Sequence, residues 1–169
     1  MARDTYVGAI DQGTTGTRFM VFDHGGRVVA NAYERHEQHY PEPGWVEHDP
    51  VEIWEATKSA VTGGLADAGL EAGQLAALGI TNQRETTVVW DAETGEPIHR
   101  AVVWQDRRTT ARIEALEAEG KDAQIRETTG LEPDAYFSAT KVEWILDHAN
   151  AVATDRGPSG DARERAQAG

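Results

Sequence analysis

The stretch DQGTTGTR, residues 11–18, combines an acid, two glycines, three threonines and an arginine between two apolar runs. These runs, YVGAI (6–10) and FMVFD (19–23), are rich in residues that favour strands, and a glycine-containing turn follows the second. The pattern predicts three strands: Tyr6–Ile10, Thr17–Asp23 and Arg27–Glu34. The glycine-rich stretch therefore joins strand to strand. It is neither a dinucleotide fingerprint nor a P-loop, because both need a helix directly after the glycines.

A tight glycine/threonine turn of this kind is suited to binding phosphate. Successive backbone N–H groups can point the same way and form an anion-binding nest, and threonine hydroxyls add further donors. Asp11 would repel a phosphate unless a cation lies between them, and a carboxylate together with nucleotide phosphates is a usual way to hold Mg²⁺. Arg18 adds positive charge. The residues alone leave a second interpretation open, a plain hairpin turn whose threonines hydrogen-bond locally.

Helix signals begin after a proline-rich loop. Asp49 is predicted to be the N-cap of a helix with Pro50 at its first position and Glu52 placed to complete a capping box. This helix is expected to end at about Ala68 and to bury an apolar stripe: Trp54, Val61 and Leu65. Further strands are expected at Leu75–Thr81, Thr86–Trp90 and Ala101–Trp104. Two more helices are expected, Thr109–Glu119 with Ile113 and Leu116 inward, and Ser138–Ala149 with Val142, Ile145 and Leu146 on one face.

This order of elements predicts an α/β domain with a mixed sheet flanked by helices. At 169 residues, the chain has the length of one typical domain. The domain is expected to cover residues 1–150. Residues 151–169 are small, polar and charged, and they predict a mobile tail or an insertion.

The composition predicts a soluble, acidic protein. Its net charge is −13, from 29 Asp and Glu against 16 Lys and Arg, which argues against nucleic acid and anionic membrane surfaces as partners. Only three of the basic residues are lysines, and this balance suggests adaptation to high salt, with ordinary acidic drift as the alternative. The absence of cysteine, of a signal-peptide pattern and of a membrane-span-length apolar run predicts a cytoplasmic protein without disulfides.

Six segments, in order and spanning the chain to about residue 150, resemble the glycerol kinases of the FGGY carbohydrate kinase family. They are DQGTTGTR (11–18), YPEPGWVEHDP (40–50), GITNQRETTVVWD (79–91), AVVWQDRR (101–108), TTGL (128–131) and AYFSATKVEWIL (135–146). The first is similar to the phosphate signature of actin-like ATPases, so the resemblance implies an actin-like, ribonuclease H-like domain. NQRET together with WQDRR is specific to the glycerol branch. The implied reaction transfers the γ-phosphoryl group of ATP to glycerol, giving sn-glycerol 3-phosphate.

The resemblance also implies roles for individual residues. Thr14 and Thr15 would meet the terminal phosphates of ATP, Gly16 would add a backbone N–H, Asp11 would lie near Mg²⁺ and Arg18 near the phosphates. The glycerol pocket would be lined by four residues: Arg84, Glu85, Trp104 and Tyr136. Their chemistry suits glycerol, because a charged donor and a charged acceptor can fix two hydroxyls while an indole packs against the carbons. Without the resemblance, these four residues would be interpreted as a solvated ion pair, a core tryptophan and a surface tyrosine.

Glycerol kinases continue with a catalytic aspartate, a second lobe and the adenine site, and none of these matches any part of residues 150–169. The resemblance therefore predicts the N-terminal part of a kinase, which has no catalytic base and is inactive alone, while the full-length parent is expected to be a homo-oligomer. Two other interpretations stay open. One is a different FGGY sugar kinase, and the other is a non-catalytic actin-like fragment.

Overall fold

The computed structural model describes residues 5–155, with side chains through His148, and its main feature is a four-stranded mixed sheet. The strands are β1 (Tyr6–Gln12), β2 (Gly16–Phe22), β3 (Val28–Arg35) and β5 (Leu75–Asn82), in the order β3-β2-β1-β5. The first three are antiparallel neighbours, whereas β1 and β5 are parallel. The predicted hairpins are confirmed, and DQGTTGTR lies at the end of the sheet where β1 turns into β2.

The helix α1 (Pro50–Ala68) covers one face of this sheet over β2 and β3. Its contact line consists of small residues four positions apart, Ala56, Ala60 and Gly64, and a Cβ at Gly64 would lie 2.7 Å from the Phe19 ring. Val61 and Leu65 pack against the core as predicted, but Trp54 is 59% exposed. The prediction for Trp54 is wrong because this side chain lies on the solvent side of α1, whereas the buried residues of the helix are Ala56, Ala60, Gly64 and Leu65.

The ends of α1 show how its caps are built. Asp49 is the N-cap, and its carboxylate accepts the N–H of Val51 at 2.9 Å. The predicted capping box does not form, since the Glu52 carboxylate instead accepts the N–H of Glu37 in the preceding loop at 2.9 Å. Gly69 ends the helix with a φ of 65°, a left-handed conformation that glycine adopts without steric cost.

A second, smaller part of the fold combines the segment just before α1 with residues that follow β5. Here β4 (Glu47–His48) pairs antiparallel with β6 (Ala101–Val102), which is shorter than the predicted Ala101–Trp104 strand. Residues 86–90 do not form the predicted strand, because only isolated bridges at Thr87 and Trp90 connect them to the rest of the structure. The predicted helix near residue 110 is confirmed as α2 (Thr110–Ala118), with Ile113 and Leu116 half-buried.

Two more helices complete the described residues. The sequence did not predict α3 (Asp122–Thr129), and α4 (Ser138–Asp155) extends past its predicted end at residue 149. Ile145 is buried as expected, but Val142 and Leu146 are exposed, because α4 turns Thr140 and Lys141 inward instead. The remainder of the predicted tail, residues 156–169, lies outside the described residues. None of the helices within residues 5–155 has the length and apolarity needed to span a lipid bilayer.

Candidate functional site

The turn at residues 13–15 is held closed by its own backbone. The N–H of Gly13 donates to the carbonyl of Gly16 at 2.9 Å. The N–H groups of Thr14 and Thr15 have no acceptor among the described residues, so both remain available to an anion. Asp11 and Arg18 are direct cross-strand neighbours on either side of the turn. A phosphate at the turn would therefore meet two free amides with a carboxylate and a guanidinium close by.

The strand β3 fastens this turn from one side. The hydroxyls of Thr15 and Tyr33 lie 3.0 Å apart, and the Arg18 guanidinium lies over the Tyr33 ring at 5.3 Å while donating to Asn31 at 3.2 Å. A Cβ at Gly16 would lie 2.3 Å from the Glu34 carbonyl oxygen, so glycine allows β2 and β3 to approach here. Arg18 is thus preoriented along the sheet rather than free in solvent.

An open cleft of about 270 Å³ lies beside the turn, and it contains three of the four residues predicted to bind glycerol. Its lining is Thr14, Asn82, Gln83, Arg84, Trp104 and Tyr136. The Trp104 indole N–H donates to the Thr14 hydroxyl at 3.0 Å, and the Trp104 and Tyr136 rings meet edge to face at 6.0 Å. The predicted phosphate site and the predicted polyol site are therefore joined by a direct hydrogen bond.

Arg84 and Glu85, although adjacent, behave differently. The Arg84 side chain is exposed at the cleft and makes no hydrogen bond or ion pair within residues 5–155. Glu85 lines a second, largely apolar cavity, and its Oε2 accepts from the N–H and the hydroxyl of Ser138 at 3.0 and 2.7 Å. The structure therefore brings Arg84, Trp104 and Tyr136 together, while the Glu85 carboxylate caps the start of α4.

A buried network of polar side chains, which the sequence did not predict, supports the turn from below. Gln38 donates to the Thr14 carbonyl at 2.9 Å, and its Oε1 lies 2.8 Å from His48 Nε2. On the other side of the ring, Gln83 Nε2 lies 3.2 Å from His48 Nδ1 and 3.3 Å from Gln12 Oε1. Burial lowers the pKa of His48 to about 4, aided by the nearby His36. A neutral ring with its proton on Nε2 satisfies both glutamines.

The WQDRR segment also builds a buried ion cluster. Arg108 is fully enclosed and bonds both Asp106 and Glu47 at 2.8 Å. Its guanidinium lies between the rings of Trp45 and Trp144, at 3.9 and 4.4 Å from their centroids. This cluster joins the β4 segment, the segment after β6 and α4, so it fixes the loop that carries Trp104.

Comparisons with known proteins show the family of this chain. The model of the FGGY family of carbohydrate kinases, N-terminal domain, matches residues 6–155. The chain is 68% identical over its whole length to a glycerol kinase of Haloferax volcanii, and 71% identical over 98% of its length to a glycerol kinase of Haloarcula marismortui. It covers 33% and 32% of these two proteins, so it spans about one third of the length of the curated relatives it matches. Both relatives come from halophiles, in line with the acidic composition.

Among solved structures, the chain superimposes on the crystal structure of Plasmodium falciparum glycerol kinase with ADP. The TM-score is 0.78 at 32% identity, over 85% of this chain and 29% of that one. The superposition confirms the expected fold class, an actin-like ATPase domain with a mixed sheet and helices. The chain belongs to the FGGY family of carbohydrate kinases and carries the N-terminal domain of that family.

Proposed function

We propose that this chain forms the polyol-binding and phosphate-binding part of a glycerol kinase, which transfers the γ-phosphoryl group of ATP to a terminal hydroxyl of glycerol. One observation carries the proposal: the unpaired guanidinium of Arg84 and the rings of Trp104 and Tyr136 line one cleft that also reaches Thr14 of the turn. The glycerol kinases at 68% and 71% identity support glycerol rather than a larger sugar.

The cleft suits a small polyol for chemical reasons. Arg84 offers several N–H donors to hydroxyl oxygens, and no carboxylate within the described residues competes for them. The Trp104 and Tyr136 rings offer apolar surface to a three-carbon chain, and the Tyr136 hydroxyl adds one donor or acceptor. Since Glu85 Oε2 is engaged by Ser138, any contact of Glu85 with glycerol would use Oε1, which has no hydrogen bond within residues 5–155.

The turn would hold the phosphate end of the nucleotide. The free N–H groups of Thr14 and Thr15 and the Arg18 guanidinium supply donors and positive charge. Asp11 is an exposed carboxylate at the end of β1, and such a group fits the Mg²⁺ that accompanies a nucleotide. When bound, that ion would neutralise phosphate charge.

In the proposed reaction, a terminal oxygen of glycerol forms a bond to the γ-phosphorus while the bond from that phosphorus to the β-phosphate oxygen breaks and ADP leaves. The hydroxyl proton needs an acceptor, and among the described residues the cleft lining contains no carboxylate. We infer that the acceptor comes from the part of the relatives' length that this chain does not span. Residues 1–169 alone are accordingly expected to give no turnover.

The test is a kinase assay on the complete gene product in concentrated KCl, with glycerol and a panel of other polyols and sugars. We expect formation of glycerol 3-phosphate that depends on ATP, with glycerol as the best substrate. Arg84→Ala should raise KM for glycerol about 10- to 100-fold, because a hydrogen bond from a charged group contributes about 1.5–3 kcal/mol. The control is Arg27→Ala, in the turn between β2 and β3 and away from the cleft. It should change neither KM for glycerol nor KM for ATP.

Two results would contradict the proposal. A clear preference for a sugar over glycerol would assign the protein to another FGGY kinase activity. Absence of phosphoryl transfer to every compound in the panel would favour a non-catalytic protein.

A further inference from the structure

Lys141 is one of three lysines in the chain, and its side chain is fully enclosed by protein. It lies in the first turn of α4, where its ammonium donates to the carbonyl oxygen of Tyr136 and, at 3.1 Å, to that of Glu85. The ammonium also lies 5.8 Å from the centroid of the Tyr136 ring. The two carbonyls are 51 positions apart along the chain, since they belong to residues 85 and 136. One cation therefore connects two distant loops.

Both loops contribute lining residues to the polyol cleft. Arg84 directly precedes Glu85, and Tyr136 itself lines the cleft. Glu85 has a φ of 65°, and it is the only described non-glycine residue with a positive φ. Such a conformation is unfavourable for a glutamate and persists only where the surroundings fix it. The hydrogen bond from Lys141 to the Glu85 carbonyl, together with the bonds from Ser138 to its carboxylate, provides that constraint.

Burying the ammonium of Lys141 costs desolvation free energy, which an apolar side chain filling the same space would not. Burial lowers its pKa to about 8, although the carboxylates of Glu85, Asp106 and Asp134 favour the charged form, and Arg107 acts in the same direction as burial. An apolar side chain of similar length would avoid this desolvation. The ammonium is thus explained by the two carbonyls it holds rather than by the filling of space.

We propose that Lys141 is the positioning residue of the polyol cleft, holding the 84–85 loop against the Tyr136 loop so that Arg84 and Tyr136 grip one ligand together. This role rests on the proposed polyol kinase function. Lys141 does not reach the cleft itself and acts only through the two backbones.

The experiment compares three forms of the complete gene product in concentrated KCl: the wild type, Lys141→Met and Ile145→Ala. Lys141→Met keeps most of the length of the side chain but removes the ammonium from both carbonyls, so that among the described residues the Glu85 carbonyl keeps only the Thr87 hydroxyl, at 3.4 Å. We expect KM for glycerol to rise about tenfold or more, with KM for ATP within twofold of the wild type. Ile145→Ala, at a fully buried position one turn along α4, also lowers stability and should leave both KM values unchanged.

The pH dependence of KM for glycerol in the wild type tests the proposal even if Lys141→Met does not fold. As pH rises from 7 to 9, the Lys141 ammonium loses its proton and its charge-assisted hydrogen bonds weaken, so KM for glycerol in the wild type should rise. The Ile145→Ala variant should follow the same profile, whereas a folded Lys141→Met variant should show none of it.

The outcomes separate the two proposals. If the wild type phosphorylates glycerol, but Lys141→Met behaves like Ile145→Ala or changes both KM values equally, Lys141 has a structural role only. A flat profile of KM for glycerol between pH 7 and 9 in the wild type has the same meaning. If the wild type phosphorylates no polyol, the proposed function fails, and the positioning role fails with it.

Discussion

The buried His48 makes the stability of this domain depend on pH. Its pKa is about 4 in the folded chain, against an ordinary value of 6.5, because the ring is buried beneath the turn. Between these two values the unfolded chain binds a proton that the folded chain does not. Stability is therefore unaffected above about pH 6.5, falls as pH drops toward 4, and changes no further through this group below that.

We expect the free energy of unfolding to fall through this interval by at most about 1.4 kcal/mol per pH unit for His48 alone. Burial also lowers the pKa of His36, which adds to the effect in the same direction. Urea unfolding at pH 7, 6, 5 and 4.5 measures the slope. His48→Gln should flatten it, whereas His24→Gln, at an exposed position, should not. An equal slope in the wild type and His48→Gln would contradict the assignment.

Trp104 joins the polyol cleft to the glycine-rich turn through its hydrogen bond to Thr14. Trp104→Phe keeps an aromatic ring in the cleft but removes the N–H that holds the Thr14 hydroxyl. One such hydrogen bond contributes about 1 kcal/mol, so we expect KM to rise about fivefold for both glycerol and ATP. Steady-state kinetics of the complete gene product measure this. Trp90→Phe, on the exposed surface, is the control, and an effect on glycerol alone would contradict a link to the phosphate turn.

At the scale of elements, the pairing of β4 with β6 depends on a buried cation. Arg108→Met would leave the carboxylates of Asp106 and Glu47 without their partner inside the protein. Breaking a buried ion pair in this way costs about 3–5 kcal/mol of the free energy of unfolding, which urea unfolding measures. Arg107→Met removes the neighbouring arginine, whose pair with Asp134 is about half exposed, and should cost only about 0–1 kcal/mol. Equal losses in the two variants would contradict the buried cluster.

The same elements show what local sequence could predict. The strands beside the glycine-rich turn were predicted because short apolar runs bounded by two turns fix them locally. Residues 86–90 carry the β-branched pattern of a strand, but a strand also needs a partner, and here only isolated bridges form. The polar helix α3 has no apolar stripe to indicate it, and α4 buries Thr140 and Lys141 because both find hydrogen-bond partners there.

The candidate site likewise contains residues that local sequence predicts and residues that it does not. The residues of the turn and three of the cleft were predicted from the motifs that carry the resemblance. Lys141 and the glutamines around His48 were not, because their partners lie far away along the chain, as in the contact of Gln83 with Gln12. Local chemistry predicts which groups bind a ligand, but not which buried groups hold them in place.

At the scale of the whole molecule, a net charge of −13 makes the folded state repel itself in dilute salt. The screening length falls from about 10 Å at 0.1 M salt to about 3 Å at 1 M. We expect Tm to rise by at least about 4 °C between about 0.1 M and 2 M KCl, equivalent to about 1–2 kcal/mol. Sorbitol at matched osmolality should give a smaller shift, and an equal shift would contradict a screening effect.

Because Lys141 is enclosed, the rate at which its amine reacts with a reagent in solution reports how often the surrounding structure opens. Lys58 and Lys121 are about half exposed, so an amine-acylating reagent should modify both at once. Burial lowers the pKa of Lys141 to about 8, which increases its fraction of reactive neutral amine, yet its side chain is shielded completely. Mass spectrometry of the α4 peptide would follow its slow acylation, and the rate would measure the opening of α4 away from the 84–85 and Tyr136 loops. A ligand that holds these two loops together should lower that rate further.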